Sequence, residues 1–257
     1  MKRYSVVTYI FGDYEKLREI QGTLDPDAEY ICITDNPGLK SDTWQVVQFV
    51  SSKDNLSALD KLPEVRHNNI FKYLHSDILV RIDGSIQILD PLRIRCLVDY
   101  FVNNDYDIST ICHPYRNSVY DELMAWKDIR NLGKDDFFSQ TKFFYDNNWD
   151  YSRKGLFQVN FLIAKKSDRL RQFDSLMLDT LYKYGTSGHY LRPCQTVFTV
   201  LYETRFPDLK MLPLSEEILH NNAMCWCVHN TDEWMPYEPW NKMTAYLHDR
   251  PTALISI

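Results

Sequence analysis

The sequence predicts an α/β fold with a mostly parallel central sheet flanked by helices. Short runs rich in β-branched and aromatic residues recur along the chain, most of them closed by Gly, Asp, Asn or Pro. Between them lie segments with apolar residues three and four apart, as amphipathic helices require. Strands that alternate with helices in this way build a parallel sheet covered on both faces.

Taken in order, Tyr4-Ser5-Val6-Val7-Thr8-Tyr9-Ile10 is the first strand, and Gly12-Asp13 punctuates it. Asp13 is placed to cap a helix carrying Leu17 and Ile20, because its carboxylate can accept backbone N–H groups of a first turn. Tyr30 to Thr34 is a second strand, stopped by Asp35-Asn36-Pro37-Gly38, and Trp44 to Val50 is a third. Leu56 to Tyr73 reads as mainly helical, with Pro63 marking a break or a new first turn. Ile78 to Ile82 is a strand that runs into Asp83-Gly84-Ser85. A helix is expected over Leu92–Val102, a strand over Asp107–Cys112, helices over Val119–Leu132 and Asp135–Tyr145, and an apolar strand over Leu156–Ala164. Asp168 is expected to cap a helix reaching Tyr184, followed by a helix over Pro193–Tyr202 and short strands at Leu209–Leu212 and Met224–Val228.

The 257 residues include only 8 glycines, so no Gly-rich linker divides the chain, and a single domain over 1–257 is expected. The net charge of −6 and the lack of a Lys/Arg run argue against a nucleic-acid partner. No apolar stretch approaches the ~20 residues of a membrane helix, so no membrane-spanning segment is expected. The apolar run Tyr4–Phe11 is too short for a signal sequence with its cleavage site. The six cysteines are scattered, and Cys225 and Cys227 are too close for a zinc knuckle, so thiols in a reducing compartment are expected. There is no G-x-G-x-x-G, no G-K-[ST] and no G-x-S-x-G, which disfavours a dinucleotide dehydrogenase, a P-loop NTPase and a serine hydrolase.

Ligands of such sheets bind beyond the carboxyl ends of the strands. The residues there are Tyr9–Asp13, Asp35–Asn36, Asp83–Ser85 and His113–Arg116. Asp83 at a strand end suits a hard cation, which can neutralise a diphosphate leaving group, or it simply forms an Asp-Gly turn. Asp35 can accept from a uracil or a ribose hydroxyl, or cap a turn. Lys61, Arg66 and His67 lie on the segment before the Asp83 strand, where they can hold phosphate oxygens or form a solvated face.

A longer pattern joins these residues. Lys61-Leu62-Pro63, His67, Tyr73-Leu74, Asp77-Ile78 and Arg81-Ile82-Asp83-Gly84-Ser85-Ile86-Gln87-Ile88 resemble blocks of a glycosyltransferase-like domain family, once known only as a domain of unknown function. Its best-known members are plant proteins of pectin and mucilage formation. His113-Pro114-Tyr115-Arg116 with Tyr120-Asp121-Glu122, Gly155-Leu156-Phe157-Gln158-Val159-Asn160, and Arg192-Pro193-Cys194-Gln195 resemble further blocks in the same order, over roughly residues 5 to 205. Arg81 stands where the family has Trp, Gln158 where it has Glu, and Cys194 where it has Asp.

The resemblance implies a single GT-A, Rossmann-like domain that transfers a sugar from a nucleotide-sugar donor, a UDP-sugar, to a glycan acceptor. About 1–110 would be the nucleotide-binding half and about 111–257 the acceptor half. It implies a divalent cation, Mn²⁺ or Mg²⁺, on Asp83 and a C-terminal His, with His229 the candidate and His220 the alternative. The first Asp of the usual Asp-x-Asp is replaced here by Arg81. The donor is expected across Tyr9, Phe11, Asp35, Lys61, Arg66, Asp83, Gly84, Ser85, Gln158 and Gln195, with Tyr9 or Phe11 stacked on the base. His113, Arg116 and Glu122 are expected at the transferred sugar, Glu122 as general base if the mechanism inverts. A non-catalytic nucleotide-sugar-binding module and a nucleotidyltransferase are the rival readings. A cytoplasmic location is expected.

Overall fold

The structure is a computed structural model that describes residues 2–12, 15–50, 58–67, 70–129, 134–185, 190–191, 194–220 and 223–227. The strands are β1 (Tyr4–Ile10), β2 (Ala28–Thr34), β3 (Gln45–Gln48), β4 (Ile78–Ile82), β5 (Ile86–Ile88), β6 (Ile108–Cys112), β7 (Phe157–Lys165), β8 (Met211–Leu214) and β9 (Met224–Trp226). The helices are α1 (Ala58–His67), α2 (Pro91–Asn103), α3 (Val119–Ile129), α4 (Lys134–Asp146), α5 (Asp168–Lys183) and α6 (Cys194–Arg205).

One seven-stranded sheet has the order β3-β2-β1-β4-β7-β6-β8. It is mostly parallel: β1 pairs in parallel with β2 and β4, β2 with β3, and β6 with β8. Only β7 runs the other way, antiparallel to both β4 and β6. Every residue of β1 and β2 is buried, as a sheet covered on both faces demands. Side chains alternate across the sheet. Val7, Tyr9, Ile31, Ile33 and Leu79 face Val65 of α1, Phe173 of α5 and Phe198 of α6. Val6, Ile10, Cys32, Val80 and Ile82 face Ile94, Leu97 and Phe101 of α2.

The chain goes from β1 outward through β2 to β3, then returns to place β4 on the other side of β1. The β1–β4 boundary is therefore the point where the strand order reverses, and the crevice beyond its carboxyl ends is the expected ligand position. Because β7 is antiparallel, its first residues, Phe157 to Asn160, join that same edge.

Several elements differ from expectation. Residues 15–21 form no helix. Their backbone is held by other segments instead: Ile20 N donates to Thr43 Oγ1, Gln21 N to the Ile88 carbonyl, and the Arg18 carbonyl accepts from Trp44 Nε1. The helix expected over 56–73 is α1 with Pro63 inside it, followed by a separate 3₁₀ turn at Ile70–Tyr73. Ser167, not Asp168, caps α5, its hydroxyl accepting from Leu170 N. The strand β5 was not foreseen. It is three residues long and pairs antiparallel with β9 in a second, two-stranded sheet.

Phe173 ties α5 to α6. Its ring meets Phe198 and Phe206 edge-on, each at 5.2 Å between centroids. Truncation of a fully packed Phe costs on the order of 3–5 kcal/mol through lost transfer energy and a residual cavity. Phe173→Ala is expected to lower unfolding free energy by about that much in urea titration. A loss of a few tenths would contradict the packing described.

Candidate functional site

At the β1–β4 boundary the chain turns through Asp83-Gly84-Ser85, and four separate elements hold this turn. Asp83 N donates to the Asn160 carbonyl of β7 at 2.8 Å, and Ile86 N closes the turn onto the Asp83 carbonyl at 2.9 Å. Arg18 Nη1 donates to the Gly84 carbonyl at 2.6 Å and is ion-paired with Glu15 at 3.0 Å, both side chains buried. Cys227 N, just past β9, donates to the Ser85 carbonyl at 2.8 Å. Gly84 is packed so closely that an added Cβ would lie 2.8 Å from Ile10 Cδ1 and 3.1 Å from the Tyr9 carbonyl oxygen.

The helix α1 presents two cations to the strand ends. Lys61 Nζ donates to Asp35 Oδ2 at 2.7 Å, and Gly12 N donates to Asp35 Oδ1 at 2.9 Å. Burial opposes ionisation of Asp35, but the Lys61 hydrogen bond and charge and the Gly12 N–H outweigh it and hold the carboxyl below its usual range. One turn later, Arg66 is ion-paired with Asp83 and lies over the Tyr9 ring, 5.5 Å from its centroid. Neighbouring His67 meets Asp174 of α5 at 2.9 Å. Burial is the largest influence on His67 and, with nearby Arg81 and Arg66, pulls its imidazole below the ordinary value despite Asp174.

Beneath this pair lies Arg81, 3% exposed, in the middle of the sheet. Its guanidinium makes no ion pair with any described residue, and its Nε has no hydrogen-bond partner. Burial, then the Arg66 charge, pull it below the usual guanidinium range. The Tyr9 hydroxyl is also unpartnered, and burial pushes it up to about 12 against the charges of Arg81 and Arg66. The side chain of Asn160 has neither oxygen nor nitrogen bonded, and Gln158 Oε1 is unpartnered too. Buried polar atoms are nearly always paired, so a concentration of unpaired ones marks a place built for water or a ligand.

A second cluster sits at the same edge, beyond β6. Glu122 of α3 is fully buried and accepts from Arg116 Nη1 at 2.5 Å, Trp126 Nε1 at 2.7 Å and Gln195 Nε2 of α6 at 2.5 Å. Arg116 Nη1 also lies 3.1 Å from His113 Nε2. Burial, then the Arg116 charge, push the His113 imidazole down to about 3, so it is neutral at pH 7.

Most of the expected site residues therefore gather at one edge, in two clusters. Their roles shift. Tyr9 and Phe11 are buried in the core, Phe11 edge-on to Phe49 at 5.7 Å, so neither offers an open ring face for a base. Glu122 is neither exposed nor an open base: both oxygens already accept donors, so it anchors Arg116. Among the described residues no group of three or more His, Cys, Asp and Glu could hold a metal. The described part of the expected cation site is one carboxylate, Asp83, and it is paired with the Arg66 guanidinium. His229, Arg192 and Pro193 lie outside the described residues. His220 lies after β8, half-buried and 3.9 Å from Glu216. Sequence reasoning missed Glu15, Arg18, Trp126 and Asp174, and treated Arg81 only as a substitution. A lone charge inside the apolar run Ile78-Leu79-Val80-Arg81-Ile82 was the available signal.

Two other places do less. A roomier cleft lined by Asp146, Asp179, Lys183, Tyr184 and Arg205 lies between α4, α5 and α6, and there Asp146 is already bonded to Lys142 and Tyr184. At the opposite sheet edge Glu29 stands between the Ser5 hydroxyl and the His75 imidazole, so the imidazole cannot take the hydroxyl proton. No protein-family model matches the chain, and no curated protein does either.

Two outcomes test this geometry. Gly84→Ala forces the turn away from β1 and is expected to cost about 1–3 kcal/mol, as overpacking does; an unchanged melting temperature would deny the close approach. His113 has a folded pKa well below its unfolded value of ~6.5. The unfolded chain thus takes up the proton first, and His113's contribution, complete above pH ~6.5, is lost as pH falls from there toward about 3. The slope for one imidazole is at most ~1.4 kcal/mol per pH unit. His113→Gln is expected to flatten the stability profile between pH 6.5 and 4, read by urea unfolding; an identical profile would place the acid sensitivity elsewhere.

Proposed function

We propose that the chain binds a nucleotide sugar across the β1–β4 crevice and transfers the sugar to a glycan acceptor. The observation that carries this reading is the row of cations on α1 facing strand-end carboxylates, beside buried donors and acceptors that no described residue satisfies. Lys61 and Arg66 suit the phosphates, because charge-assisted hydrogen bonds to phosphate oxygens are the strong ones. Asp35 suits a ribose or base donor at the end of β2. The amides of Gln158 and Asn160 suit sugar hydroxyls, which both donate and accept. Arg116, held by Glu122 and one-quarter exposed, suits the acceptor side. In this reading fixed cations stabilise the charge that develops as the glycosidic bond breaks. The motif order and the α/β fold with its strand-order reversal support a GT-A domain.

A second reading has one observation in its favour. Glu122, the foreseen base, has both oxygens occupied, as suits a nucleotide-sugar-binding module without turnover. No helix among the described residues is long and apolar enough to cross a membrane. No disulfide joins the six cysteines, which supports a reducing, cytoplasmic setting.

A thermal-shift series with nucleotides and nucleotide sugars tests the reading. A ligand that binds only the native state raises the melting temperature by mass action, by about 2.7 kcal/mol of stability at a hundredfold excess over Kd. UDP or a UDP-sugar is expected to raise it, and Asp35→Ala to reduce the rise. No response to any nucleotide at millimolar concentration would sink the proposal. Release of nucleoside diphosphate from the responding sugar, with and without glycan acceptors, separates transferase from binding module.

A further inference from the structure

The environment of Arg81 says more about the crevice. Two guanidinium groups, Arg66 and Arg81, share one face of the sheet with the Tyr9 hydroxyl. Among the described residues, the carboxylate directly bonded there is Asp83, on Arg66, and it is one-third exposed. Asp174, the other nearby carboxylate, is turned to His67. A buried cation without a partner is strongly unfavourable, and such groups are retained where a counter-charge arrives. Arg81 and Tyr9 supply donors without described acceptors, Arg66 a third donor group, and the Asp83 carboxylate on Arg66 is exposed enough to leave.

We propose that Asp83 is a placeholder rather than a metal ligand. The diphosphate of the ligand displaces its carboxylate from Arg66 and is held by Arg66 and Arg81 without a divalent cation. This deepens the nucleotide-sugar reading and rests on it for the remainder of the ligand. Guanidinium groups fit such a role, since their planar forks match phosphate oxygens and they stay protonated at pH 7. In the ligand-free protein the Asp83 carboxylate offsets the repulsion between the two cations. When the phosphate enters, Asp83 becomes a like charge beside it.

That last point makes the test decisive, because the two roles give Asp83→Asn effects of opposite sign. The probe is inorganic pyrophosphate, titrated calorimetrically into the full chain in EDTA and, separately, in Mn²⁺. Pyrophosphate is expected to bind in EDTA. Asp83→Asn is expected to tighten it severalfold, by removing a competitor for Arg66 and a repelling charge. Arg81→Met is expected to weaken it tenfold or more with an undiminished melting temperature, because an apolar side chain of similar volume replaces a buried unpaired charge. Binding that needs Mn²⁺ and is abolished by Asp83→Asn overturns the placeholder and leaves the nucleotide-sugar reading standing. Binding of pyrophosphate in EDTA, tightened by Asp83→Asn, with no response to any nucleotide sugar, keeps the anion site and removes that reading. Pyrophosphate binding that ignores both Asp83→Asn and Arg81→Met overturns the assignment of these residues.

Discussion

Two arginines are forced together beneath the β1–β4 crevice, and the arrangement around them follows from that burial. Arg81 is the next-to-last residue of β4, between parallel β1 and antiparallel β7, and is 3% exposed. Arg66 reaches it from α1. Like charges in a partly desolvated setting repel, so Asp83 must stay close enough to offset them. Tyr9 contributes the electron-rich face of its ring to Arg66, a weaker but useful compensation.

Asp83 can perform that task only if its turn stays fixed. The absence of a side chain at Gly84 lets the turn close onto β1, and the buried Glu15–Arg18 pair buttresses it from behind. Here the segment after β1 has given up helical hydrogen bonds of its own to brace the turn. β5 and β9 serve the same end, since their pairing brings the Cys227 N–H to the Ser85 carbonyl. Irregular structure around the crevice is thus the scaffold of one carboxylate.

Much of the fold was legible because apolar runs announce buried strands directly. Ile78–Ile82 was read with its observed boundaries, and β2, β6 and β7 to within two residues. The direction of β7 was not legible, since a fully buried strand looks the same whichever way it runs. The non-helical 15–21 segment misled because Leu17 and Ile20 have helical spacing, while the groups that capture its backbone come from residues 43, 44 and 88. At the site, positions were readable and roles were not. Strand ends can be counted from sequence, which placed Asp35, Asp83 and His113 at one edge. Whether a side chain there is open or already bonded depends on partners such as Gln195, 73 residues from Glu122.

The two clusters share one device. Lys61 with Asp35, Arg66 with Asp83, and Arg116 with Glu122 each hold a cation against a carboxylate fixed on another element or at another turn of the chain. The pairs differ in which partner is locked. Glu122 is fully buried with three donors, so Arg116 is the partner that can reach outward. At Asp83 the order is reversed: Arg66 is the more buried member and the carboxylate the more exposed one. The first site thus offers a fixed cation with a displaceable counter-charge, and the second a cation tethered by a locked carboxylate. In the proposed transfer, that asymmetry would let one end neutralise a phosphate leaving group while the other orients a neutral, hydroxyl-rich acceptor.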